Sequence, residues 1–264
     1  MTKLPFGRLA RHAYLELIGN GRSLVQIAGL WLLLGWALAL LARGGAFLFI
    51  AAADLAVTLG AAAVAVAWHR HLLLGESLNH RLAPLDARVA RYLFLTVVLA
   101  FLIGTTPALV LLMVGGPALL GGAEAGTAPD GAGLGLLLVP IVAIACLWVA
   151  LRVQLIFPAT AIADHTMTPA RSWALTRGQG GQLFLGFLLV MLPVTLGMVA
   201  LTLVLGWLAE ATGSIVLGAL SDLAAVANPL LQAPLIAAFL SYAYTWFRQQ
   251  EGQGGAVPAP RPPA

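Results

Sequence analysis

Charge is what this chain has least of. Asp, Glu, Lys and Arg together make up 9% of the 264 residues, against about 25% in a soluble domain. With 61% hydrophobic residues, the chain cannot cover its own surface in water, so lipid must be its solvent. Cysteine is nearly missing. Cys146 stands alone, which excludes an intramolecular disulfide and a cysteine-based metal cluster. The short motifs of soluble catalysis are missing as well. There is no GxxxxGK[ST], no GxSxG and no HExxH, so nothing points to a P-loop, a nucleophile elbow or a zinc protease helix. No stretch could form a nucleic-acid-binding fold. These absences lead us to expect neither an enzyme nor a cofactor.

What is present is a set of six apolar runs, at about residues 24–42, 46–68, 92–114, 134–157, 183–209 and 229–247. Each is long enough for the ~30 Å hydrocarbon core at about 1.5 Å of rise per residue. Backbone exposed to lipid must find its hydrogen bonds within its own segment, so the runs are helices. The predicted fold is therefore all-α, a polytopic membrane bundle of six spans with amphipathic interfacial helices.

The segments between the runs are predicted as follows. Residues 1–23 place Phe6, Leu9, Ala13 and Leu17 at helical spacing beside Lys3, Arg8 and Arg11. They read as an amphipathic helix on the membrane surface. Residues 72–91 read as a loop or surface helix, with Pro84 and Asp86 in its first turn. Pro107 predicts a kink in the third span. The Gly-, Ala- and Pro-rich residues 115–133 read as a loose loop. Thr168-Pro169 reads as an N-cap followed by proline at the first helical position. Ile215 to Val226 is apolar but broken by Ser221 and Asp222, so residues 214–228 read as an interfacial or re-entrant helix. Residues 248–264 are predicted to be a disordered tail.

Arginine sets the topology. Six spans with both termini cytoplasmic leave Arg43 as the only basic residue outside, in keeping with the positive-inside rule. The formal net charge is +4, and the arginines flank apolar runs. The expected partner is therefore an anionic lipid surface rather than nucleic acid.

Four residues around the fourth and fifth runs are candidates for lipid headgroup binding: Arg152, Arg171, Trp173 and Arg177. Arg152 would snorkel from the last turns of its span, and arginine can donate bidentate hydrogen bonds to phosphate. Asp54 is a carboxylate inside the second run, a functional-site hypothesis by default. Thr58, one turn on, could hydrogen-bond it, and Arg43 could pair with it. His69 and His71 invite a metal site with Glu76 and His80. Residues two apart on a helix point ~200° from each other, so the pair reads as interfacial histidines.

A repeat runs through the chain. Three times a short Arg-bearing segment leads into a span that turns back through a second span. Gly19-Asn20-Gly21 aligns with Gly178-Gln179-Gly180, and Tyr14 with Trp173.

At WHRHLLLGE (Trp68 to Glu76) and PARSWALTRG (Pro169 to Gly178) the sequence resembles an uncharacterised family of bacterial six-span inner-membrane proteins. In layout it is similar to the membrane domain attached to some glycerophosphodiester phosphodiesterases and to YciC-type membrane proteins. The resemblance implies a six-span helical protein of the bacterial inner membrane that could be linked to lipids; the family has no established catalytic residues to carry over. Two functional expectations follow. The first is a non-enzymatic protein that binds or organises anionic lipids, or serves a membrane or cytoplasmic protein partner. The alternative is a small transporter or channel with Asp54 on its path.

Overall fold

Three helical hairpins build the molecule. The computed structural model describes residues 3–78, 86–120 and 132–251, with only the backbone of residues 110–120 and 132–137. All regular structure among the described residues is helical: α1 Phe6–Gly19, α2 Gly21–Ala42, α3 Phe47–Leu74, α4 Ala87–Leu120, α5 Ala132–Val153, α6 Ile156–Ala161, α7 Pro169–Leu175, α8 Gly180–Thr212 and α9 Ile215–Gln250. Five of these, α2, α3, α4, α8 and α9, are long and apolar enough to cross a membrane. α5 adds a shorter described apolar stretch, Leu138–Val153. The chain is an all-α polytopic membrane bundle.

The hairpins are α2–α3, α4–α5 and α8–α9. α3 packs against α9 and joins the first hairpin to the third. Small residues make this possible. Ala62, Ala63, Val64 and Ala65 are buried on α3, as are Ala237, Ala238 and Ala243 on α9, so the helix axes approach without long side chains between them.

One end of the bundle carries nearly all the basic charge. Arg22, Arg70, Arg88, Arg91, Arg152, Arg177 and Arg248 sit at or beside the start of α2, α4 or α8, or at the finish of α3, α5 or α9. Among the described residues, Arg43 is the only basic residue at the other end.

Several element boundaries differ from the sequence-based expectation. α9 is one continuous helix that absorbs residues 215–228, with no separate interfacial helix. Its polar residues are satisfied where they stand. Arg43 Nε donates to Asp222 at 2.7 Å, and the Ser221 hydroxyl donates to the Thr202 carbonyl at 3.0 Å. α9 also runs through Arg248 to Gln250, past the predicted start of the tail; residues 252–264 lie outside those described. α4 begins at Ala87, so the predicted surface helix and the third span are one element. Asp86 is its cap, accepting from the backbone N–H of Arg88 and Val89 at 2.9 and 3.1 Å. Pro84 lies outside the described residues. α4 continues to Leu120 and α5 starts at Ala132, so only 121–131 of the expected loop fall outside the helices, and those residues are not described. The fourth run divides into α5 and α6.

α1 is amphipathic as expected, but its apolar face meets protein. It packs on α8 and α9, burying Leu9, Ala10 and Ala13, and the Tyr14 hydroxyl donates to the Val190 carbonyl at 2.7 Å.

The repeat is visible in the backbone. Asn20 joins α1 to α2 with φ −108° and ψ 21°. Gln179, its counterpart in the alignment, leads into α8 with φ −117° and ψ 2°. Each carbonyl accepts from the residue four positions on, Leu24 at 2.9 Å and Leu183 at 3.0 Å. The second hairpin shows no such hinge among the described residues, where α4 is unbroken from Ala87.

Candidate functional site

A cavity of about 670 Å³ opens between α3 and α9, bounded by Ala39 and Ala42 of α2, Tyr92 and Thr96 of α4, and Phe157 of α6. Alanine makes the room. Ala53, Ala61 and Ala65 of α3 and Ala225 and Ala233 of α9 all line it. The lining on α3 runs from Ile50 to Ala65, ~22 Å of helix. Asp54 and Thr58 both line it, toward the end that carries Arg43.

The polar lining combines two carboxylates, Asp54 and Asp222, with hydroxyl and amide side chains that can also donate. Asp54 is exposed on its helix and has no hydrogen bond or ion pair among the described residues. Neither expected partner is taken: Thr58 is one turn away without bonding it, and Arg43 pairs with Asp222. Asp222 also lines the cavity, but that guanidinium neutralises it. At the other end lies Gln154, whose Oε1 is buried and has no hydrogen-bond partner among the described residues. Between them, Pro229 lacks an N–H and leaves the Ala225 carbonyl without its helical donor; both residues line the cavity. Behind its wall, His69 is fully buried. Its Nδ1 is 2.7 Å from the Ser241 hydroxyl, and Nε2 makes a long 3.5 Å contact with the Tyr92 hydroxyl.

The predicted headgroup residues divide. Arg152 is not at the lipid surface. It is 7% exposed, with its guanidinium 3.7 Å from the Trp173 ring centroid and 5.3 Å from that of Trp148. It donates to the Trp173 carbonyl at 2.7 Å and to the Thr176 hydroxyl at 3.2 Å. Its own carbonyl accepts from the Ser172 hydroxyl at 2.7 Å. These contacts hold α7 against α5, and α7 is too far along the chain for the arginine's role to be visible locally. Arg171 is engaged too, with the Thr166 carbonyl and Glu251 both at 3.2 Å. Arg177 is exposed, with no hydrogen bond or ion pair among the described residues. Trp173 is 38% exposed. The N-cap expectation holds: the Thr168 hydroxyl accepts from the Arg171 N–H at 3.2 Å.

His69 and His71 face different neighbours. His71 Nδ1 is 2.7 Å from the Glu76 carbonyl and Nε2 is 3.6 Å from Glu16. His80 lies outside the described residues, among which no group of metal-ligating side chains gathers.

The segment between α6 and α7 has its own polar lock. α6 ends in a Schellman motif: the Asp164 N–H donates to Ala159 at 2.8 Å and the Ala163 N–H to Thr160 at 3.2 Å. Ala163 takes the left-handed position at φ 59°, where an L side chain costs roughly 1–2 kcal/mol. Asp164 offsets that strain. It accepts from the Thr166 hydroxyl at 2.6 Å and its N–H at 2.9 Å, and from the Tyr244 hydroxyl; Arg248 lies 3.8 Å away. Burial pushes this carboxyl up, but the Thr166 and Tyr244 hydrogen bonds and the Arg248 charge together hold it below its ordinary 3.8. A folded-state value below the unfolded one stabilises the fold above the unfolded value, and that stability is lost as pH falls through the folded one. Asp164→Asn should therefore lower the unfolding midpoint at neutral pH. The gap from the parent should close below pH 3.8, as read from thermal unfolding of both proteins across pH.

The two stretches that carry the family resemblance have structural roles. Trp68 is fully buried, Arg70 pairs with Glu76 and reaches the Ala161 carbonyl at 3.1 Å, and Gly75 ends α3 at φ 70°. Gln154 went unnoticed in the sequence; the one signal for it was an amide close to the end of an apolar run. No family model matches the chain, and no curated protein or solved structure matches it.

Proposed function

We propose that the chain is a non-enzymatic transport protein of the bacterial inner membrane, with cytoplasmic termini, that carries a small amphipathic molecule through the cavity between α3 and α9. One observation carries this reading: the cavity reaches Asp54, a carboxylate in an apolar helix with no partner among the described residues. Stranding acceptors in lipid costs several kcal/mol each, and a ligand that bonds them offsets that cost. The volume lies within the roughly 300–1,000 Å³ typical of small-molecule sites.

The test is native mass spectrometry of the protein extracted gently from its own membrane. A bound small molecule should accompany the parent and be lost when the cavity is filled by Ala61→Trp or, more mildly, Ala225→Leu. Retention in both variants, with normal folding, removes the cavity from the function.

A second reading rests on Arg177, exposed and unpaired among the described residues, beside a half-exposed Trp173 at the basic end. There the protein would hold an anionic lipid, from the leaflet that positive charge faces. Arg177→Gln should then release a stoichiometric anionic lipid in the same experiment, and no change in bound lipid would count against it.

A further inference from the structure

We propose that the ligand of this cavity is an amphipathic monocation, an amine with an apolar body, whose ammonium group pairs with Asp54. This deepens the transport reading and rests on it.

The charge balance of the lining decides the sign. Among the described residues, Asp54 and Asp222 are the only charged ones that line the cavity. Arg43 Nε at 2.7 Å cancels Asp222, which leaves the one negative charge of Asp54. A phosphate or carboxylate ligand would meet that charge with no described cation in the lining to offset it. A cation meets an opposite charge where low dielectric strengthens the attraction. The hydrogen-bonding balance points the same way. The Asp54 carboxylate, without a hydrogen bond or ion pair among the described residues, can only accept. A ligand with N–H donors satisfies it, whereas an acceptor-only ligand leaves it stranded. The ammonium belongs near the Asp54 end. The body then lies along the alanine-lined wall, where apolar groups are buried at roughly 25 cal/mol per Å².

The anionic-lipid site and this cavity thus take ligands of opposite sign. They also sit apart, Arg177 at the basic end and Asp54 toward the other.

The experiment uses the full chain in zwitterionic nanodiscs and three probes that share a body: phenylbutylamine, phenylbutanol and phenylbutanoate. Binding is measured by equilibrium dialysis, with protein-free nanodiscs subtracted. The amine should bind saturably, at least about tenfold more tightly than the alcohol, with the acid weakest. Asp54→Asn should remove about tenfold of amine affinity and leave the alcohol unchanged, and Asp54→Glu should restore the preference. Equal binding of all three, preference for the acid, or unaltered amine binding in Asp54→Asn with a normal melting profile overturns the monocation and leaves the cavity reading standing. Absence of saturable binding by any probe, together with a ligand retained in Ala61→Trp, overturns both.

Discussion

Gly60→Leu should stop the α2–α3 hairpin from closing, a larger loss of stability than the removal of any one polar contact in the bundle. A Cβ on Gly60 would lie 2.6 Å from both Cβ and Cγ of Trp31, and the indole, itself buried, has nowhere to retreat. Helix propensity argues the other way, because glycine in a helix interior costs about 1 kcal/mol relative to alanine. The clash wins, since forcing even one methyl into a packed interface costs about 1–3 kcal/mol. Gly60→Ala should therefore lower the unfolding midpoint despite its better propensity, and Gly60→Leu should lose the folded species in fluorescence-detected size exclusion. Gly29 of α2 supplies the control, because a Cβ there would meet nothing within 4 Å. Gly29→Ala should be neutral or stabilising. If Gly60→Ala behaves like Gly29→Ala, the close approach of Trp31 is wrong.

Arg152→Leu should free α7 from α5. The guanidinium is held between two tryptophan rings and donates to the Trp173 carbonyl and the Thr176 hydroxyl. Losing charge-assisted hydrogen bonds and the ring stacking together should cost about 3 kcal/mol. Arg152→Lys keeps the charge but not the planar fork, so it should recover only part of the loss. The signature is local. Emission from Trp148 and Trp173 should shift red as the rings become wetter, and a protease should cut near α7 before the bundle melts. A lipid-facing arginine would show neither change, and Arg152→Lys would behave as the parent. The measurement thus separates the observed clamp from the headgroup role that the sequence suggests.

The sequence shows the spans well because hydrophobic runs are local and lipid imposes helix on each of them. It misreads α9 for the complementary reason. Ser221 and Asp222 look like an interruption until Thr202 and Arg43 are seen to satisfy them, and those partners lie on or beside other helices. Arg152 is misplaced in the same way, since Trp173 and Thr176 arrive with a different helix. Asp54 stands out at once because a carboxylate in an apolar run is costly wherever the run folds. The cavity around it cannot be read from any window of residues. Its lining comes from α2, α3, α4, α6 and α9 together, a matter of how hairpins pack. The hinge residues fall between these cases. The match of Gly19-Asn20-Gly21 to Gly178-Gln179-Gly180 is plain in the sequence, and the structure adds that both middle residues share one backbone shape.

The unbroken start of α4 has a mechanical meaning. α4 meets α6, and α5 meets α7, both at the basic end, while Phe94, Val97, Phe101, Leu102 and Leu109 of α4 are exposed. The Ala87–Leu109 part of α4 is one unbroken helix ~34 Å long. A tilt of ~5° at the foot would swing its far tip by ~3 Å, about the width of a water molecule, for a shaft of that length. Near its foot, Tyr92 and Thr96 line the Asp54 cavity. A small push on α6 in the basic layer would thus be geared up into a larger displacement of the helix's far tip at the opposite face.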